Sequence, residues 1–88
     1  MEMIGSYKEL DRVRWAAKRG MLELDLILSP YVEQVYMTLS DKDNADFLSL
    51  LSSEDPDLFS WFIKSQPVDI EHVETVRKVL EYKRLSHA

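Results

Sequence analysis

The 88-residue chain has no cysteine, only two glycines, three prolines and two histidines. The absence of cysteine excludes disulfides, thiolate metal sites and a cysteine nucleophile, so apolar packing alone must hold the fold. Two imidazoles, His72 and His87, fall short of a metal-ligand set. There is no Gly-rich phosphate loop and no D-x-D-x-D-G calcium loop. Long apolar runs are missing as well. Charge-free stretches such as Leu26–Val32 and Phe47–Ser53 span seven residues each, whereas a membrane-crossing helix needs roughly 20. The opening MEMIGSYKEL carries neither a basic, apolar leader pattern nor an Arg/Ser-rich presequence, which leads us to expect a soluble, cytoplasmic protein.

An excess of positive charge is also lacking. Eleven Lys and Arg stand against sixteen Asp and Glu, a net charge of −5. That balance argues against a sequence-independent nucleic-acid binder, which needs Lys/Arg in excess for phosphate contacts. The charge is unevenly placed. Residues 1–20 carry +2, residues 21–74 carry −10 and residues 75–88 carry +3.

What is present is an apolar fraction of 45%, enough to exclude disorder. Helical spacing of apolar residues runs almost throughout, and strand-like alternation is weak. The pattern predicts one all-α domain over 1–88, a small bundle of five short helices at 7–18, 21–38 (kinked at Pro30), 41–52, 56–64 and 70–84. Ser6-x-x-Glu9 reads as a capping box for the first helix, and Gly20 as its stop. Leu10, Val13 and Ala17 form its core stripe. The second helix is apolar over much of its circumference and is therefore the central one. Its stripe is Leu24, Ile27, Leu28, Tyr31 and Val35, with Leu22 and Leu26 on another side. Ser40 caps the third helix, whose inner face is Asn44, Phe47, Leu48 and Leu51. Asp55-Pro56 supplies the cap and first position of the fourth, which turns Leu58, Phe59 and Phe62 inward. Asp69 caps the fifth, with Ile70, Val73, Val76 and Leu80 inward.

No catalytic constellation assembles. His72, beside Glu71 and Glu74, reads as a solvated surface histidine, and His87 sits near a fraying terminus. The pair Asp55/Asp57 is explained by a helix N-terminus, where anions are favoured.

The most informative stretch is Arg14-Trp15-Ala16-Ala17-Lys18-Arg19-Gly20-Met21-Leu22-Glu23. Trp15 points roughly 140° or more from the core stripe of its helix. Arg12 and Arg19 flank it at helical spacing. Trp between arginines is the mix found at interface hot spots; equally, Trp15 can pack beneath the last helix. The junction also has two readings. Arg19 at a helix end and Glu23 in a first turn suit the helix dipoles, each worth about 0.3–1 kcal/mol. Alternatively, the Gly turn holds a cation and an anion side by side on an exposed corner as a docking point.

Arg19-Gly20-Met21-Leu22-Glu23 resembles the RGxxE motif of the SdhE/YgfY family of flavinylation factors, whose mitochondrial relatives are succinate dehydrogenase assembly factors. The resemblance extends over essentially the whole chain. Trp15 precedes the motif at the family's interval, Asp55-Pro56-Asp57 with Trp61 resembles its D-x-D…W segment, and Pro67 precedes the last helix. The resemblance implies a five-helix assembly factor that is not an enzyme. It implies promotion of covalent FAD attachment to the flavoprotein subunit of succinate dehydrogenase, and of fumarate reductase in some bacteria. Arg19, Gly20 and Glu23 become the key partner contacts, Trp15 and Arg14 their neighbours, and Asp55, Asp57 and Trp61 secondary partner-surface candidates. No metal is implied, and no tightly bound cofactor: the chain lacks a dinucleotide fingerprint for binding FAD on its own, and the resemblance implies that it acts on FAD attachment in a partner protein. A generic cytoplasmic adaptor using the Trp15/Arg19 corner for an unrelated partner is the competing reading. On the docking reading, Arg19→Ala and Glu23→Ala both lose flavinylation and keep wild-type melting. On the capping reading, both unfold.

Overall fold

The computed structural model describes residues 2–86, with side chains from residue 9 onward. Five helices follow in order: α1 (Glu2–Ala17), α2 (Leu22–Gln34), α3 (Asp41–Leu51), α4 (Asp55–Phe62) and α5 (Val73–Ser86). Short 3-10 turns precede α3 (Tyr36–Thr38) and α5 (Ile70–His72). No strand occurs among the described residues. The Cα radius of gyration is 12.7 Å, close to the roughly 12 Å of a compact chain this long.

The first helix starts earlier than the capping-box pattern predicts. Ser6 lies inside α1, because Glu2, Met3 and Ile4 are competent helix residues and extend it upstream. The side chain of Ser6 and all of His87 fall outside the described residues. At the other end α1 closes at Ala17, with the Lys18 N–H donating to Trp15 O at 3.2 Å.

The α2 helix is the core element. Leu24, Ile27, Leu28, Tyr31 and Val32 are all buried along it, and it contacts α1, α4 and α5. Pro30 lies within the helix on its exposed side. The carbonyl of Leu26, which Pro30 cannot bond, is on the same exposed face, so water can satisfy it. The helix ends at Gln34 rather than Thr38. Both the amide and the hydroxyl of Thr38 bond Val35 O, at 2.8 and 2.7 Å. Such i→i+3 closure winds a 3-10 turn in place of an α turn.

The Tyr36–Thr38 turn buries Tyr36, whose ring lies 6.0 Å from that of Phe47. Tyr31 approaches Phe47 at 5.2 Å and Tyr82 at 5.7 Å. These rings join α2, α3 and α5, with spacings at which aromatic pairs add to burial.

Ser40 caps α3 as expected, its hydroxyl accepting the Asp43 N–H at 3.1 Å. Two inner faces are rotated from the expected stripes. In α3, Leu50 is buried and Leu48 faces out. In α5 the inward set is Thr75, Val76 and Val79, and in the 3-10 turn before it His72 is buried while Ile70 is 92% exposed. The 3-10 turn at 70–72 advances each residue by about 120° instead of 100°, which throws Ile70 out of phase with the helix. The Asp69 side chain makes no cap hydrogen bond, and only its carbonyl accepts the His72 N–H, at 2.9 Å. The helix α4 starts one residue early, with Glu54 at the N-cap, because the Asp55 carboxylate is engaged elsewhere.

The Tyr36 hydroxyl donates to Glu9 at 2.7 Å. Burial first, then the Glu9 carboxylate, raise its pKa well above the ordinary tyrosine value, and burial raises that of Tyr31 too. The folded state therefore keeps protons that the unfolded chain releases from about pH 10. Stability is complete below that pH and falls above it. Thermal melts across pH should show a decline beginning near pH 10. It should be shallower in Tyr36→Phe, which at neutral pH loses about 1 kcal/mol with the Glu9 hydrogen bond.

Candidate functional site

Gly20 lies in the four-residue link, 18–21, between α1 and α2. Its φ is +80°, a conformation that costs an L side chain about 1–2 kcal/mol. A Cβ at this position would meet nothing within 4 Å. The requirement for glycine is thus backbone conformation, and the space over the turn is open.

Arg19 does not sit on an exposed corner, as the charge pattern suggested. Its side chain is only 16% exposed. The Nε–H donates to Asp55 Oδ1 at 2.8 Å, and Nη1 donates to Ala16 O and Leu51 O at 2.7 and 2.9 Å. Nη2 donates to Ser53 O at 2.7 Å. Ala16 and Leu51 close the C-terminal turns of α1 and α3, so one guanidinium sits at the negative ends of two helices. Its planar fork binds four acceptors from three segments, which an ammonium could not do. The main-chain N–H of Arg19 runs the other way and donates to Asp25 Oδ1, in the first turn of α2, at 2.9 Å.

The other sequence candidates divide sharply. Glu23 is exposed and makes no hydrogen bond or ion pair among the described residues. Trp15 is 77% exposed, which decides between its two readings: it does not pack beneath the last helix. It borders a shallow hollow of about 190 Å³ shared with Arg14 and Lys18. Arg14 is already paired, with Glu33 at 2.6 and 2.9 Å and Asp11 at 2.8 Å. These carboxylates, Glu33 first, hold its pKa above the ordinary value, and Arg14 lowers that of Glu33.

Asp55 belongs to the Arg19 cluster, whereas Asp57 is exposed. Trp61 is no surface residue. It is 6% exposed and lies 5.6 Å from the His72 ring. His72, expected on the surface, is itself buried, with Nε2 3.5 Å from Ser53 Oγ and 3.7 Å from Glu71. The 3-10 turn that displaces Ile70 outward turns His72 inward.

Sequence reasoning set two residues off the core stripe without giving them a role, and passed over a third, Asp25. Leu22 and Leu26 are 70% and 63% exposed on α2. Their i, i+4 spacing off the core stripe was the available signal. Asp25 gave no signal beyond its place in a first turn, because its partner lies six residues back in a non-helical link. Among the described residues no group of His, Asp and Glu could hold a metal ion. None of the described helices is long and apolar enough to cross a membrane.

The model of the family described as "Flavinator of succinate dehydrogenase" matches residues 11–83. Several bacterial proteins named FAD assembly factor SdhE are similar to this chain. That of Idiomarina loihiensis is 45% identical over 74 residues, covering 83% of this chain and 82% of its own. That of Pseudomonas aeruginosa is 45% identical over 74 residues, covering 83% and 88%. The Shewanella oneidensis protein is 58% identical over 52 residues, 59% of this chain and 63% of the relative.

The geometry separates the two charges of the motif. Arg19→Ala strips three segments of a shared donor, and should cost about 2–4 kcal/mol of stability. Arg19→Lys should recover only part of that. Glu23→Ala should leave melting within about 0.5 kcal/mol of wild type. Chemical denaturation of the three variants checks all of these values.

Proposed function

The chain belongs to the family of succinate dehydrogenase flavinators, and from that premise we propose that it promotes covalent FAD attachment to the flavoprotein subunit of succinate dehydrogenase. In this proposal it does so by docking, through the outward residues of the α1–α2 corner, and contributes no catalytic group. The flavoprotein subunit of fumarate reductase is a second client of the same surface.

The observation that carries this reading is the exposed Glu23, without a hydrogen-bond or ion-pair partner among the described residues, beside the open Gly20 turn, with Trp15 and Leu22 also outward. An exposed carboxylate such as this one is available for charge-assisted hydrogen bonds from a client. A turn without a side chain lets a second backbone approach closely. Trp15 offers a large apolar anchor of the kind that dominates interface energies. Arg19, by contrast, acts from within, holding the turn in place.

A docking factor accelerates a self-catalysed reaction only if it binds the competent arrangement of its client better than the others. A preference of about 2.7 kcal/mol raises the population of a minor arrangement about 100-fold. An interface of modest size can supply this. The flavin and its attachment site remain with the client, in keeping with the lack of a Gly-rich dinucleotide turn here.

The test is to incubate purified apo-flavoprotein subunit with FAD, with and without this protein, and follow covalent flavin by in-gel fluorescence. The protein should accelerate labelling. Trp15→Ala and Glu23→Ala, each folded, should weaken binding by about 2 kcal/mol, close to thirtyfold. Labelling that proceeds equally without the protein would overturn the proposal, and capture of an unrelated partner through Trp15 would favour the adaptor.

A further inference from the structure

We propose that Asp25 is a positioning residue for client docking. It acts by locking the main chain of the turn between α1 and α2, without itself touching the client. The inference rests on the docking function proposed above.

The link 18–21 joins the helix that carries Trp15 to the helix that carries Glu23. Its conformation sets where these two outward side chains stand relative to each other. Gly20 at φ +80° is the softest point of the link. Two restraints act on the residue before it. The Arg19 side chain is fixed to Ala16, Leu51, Ser53 and Asp55, towards α3 and α4. A long side chain can stay anchored while its backbone swings, so this restraint alone leaves the peptide free to rotate.

The Arg19 N–H to Asp25 Oδ1 bond, at 2.9 Å, removes that freedom. Arg19 lies beyond the end of α1, so its N–H has no helical acceptor, and Asp25 takes that place. The carboxylate is half-buried on the first turn of α2. The helix that presents Glu23 thus also holds the turn behind it. Main chain and side chain of one residue are pinned in opposite directions, and the docking corner is preorganised. Rigid presentation matters because a surface already held in its bound conformation loses less freedom on docking, which shows as affinity.

The experiment titrates wild type, Asp25→Ala and Asp25→Asn against the apo-flavoprotein subunit and FAD, well below the melting temperature of each. The readouts are the factor concentration giving half-maximal acceleration and the plateau rate, with melting recorded alongside. Asn keeps an oxygen acceptor and both variants lose the charge, so their difference isolates the hydrogen bond. Asp25→Ala should raise the half-saturating concentration about tenfold or more with the plateau retained. Asp25→Asn should stay within about twofold of wild type. The inference is overturned if Asp25→Ala titrates like wild type, or has lost cooperative melting and so serves the whole fold. It is equally overturned if Asp25→Asn is as impaired as Asp25→Ala, which would make the charge itself a client contact. Wild-type protein that gives no acceleration would instead remove the docking function on which the inference stands.

Discussion

One guanidinium holds the working end of this molecule together. Arg19 closes the C-terminal turns of α1 and α3, ties the link after α3, and pairs with the first residue of α4. Helix ends leave carbonyls without partners, and in a domain built of short helices such ends are a large share of the backbone. A cation with donors in a rigid plane satisfies several at once. Because the same residue sits beside Gly20, the side chain that joins three helices also shapes the exposed turn.

That coupling gives a physical basis for a motif with so few invariant letters. Arginine, glycine and glutamate do three different jobs. Arg19 faces inward and organises; Gly20 supplies a positive φ over open space; Glu23 faces outward, with no ion-pair partner among the described residues. On the docking function proposed above, loss of each would act by a different route. The neighbouring arginine is different again, since Arg14 spends its charge on Glu33 and Asp11.

Much of the fold was legible from residues alone. Helical periodicity identified five helices and made the second the central one, and Ser40 was readable as a cap because capping is local. What was misread lies where neighbours intervene. Asp55 was expected to cap its own helix, but Arg19 binds it. Trp61 and His72 were placed on the surface and are buried together. Ile70 was placed in the core and is exposed, because a single 3-10 turn shifts the phase of everything before α5.

The sequence by itself determined the class of fold, the helix order, the position of the turn and the family resemblance. These depend on short-range spacing and on residue identity, which a linear string records. Only the tertiary structure decided which charges of the motif face inward and which outward, and that Asp25 holds the turn from behind. The reason is that Arg19 takes its partners from positions 51, 53 and 55, more than thirty residues away. No local pattern distinguishes a side chain that reaches such partners from one that reaches into solvent.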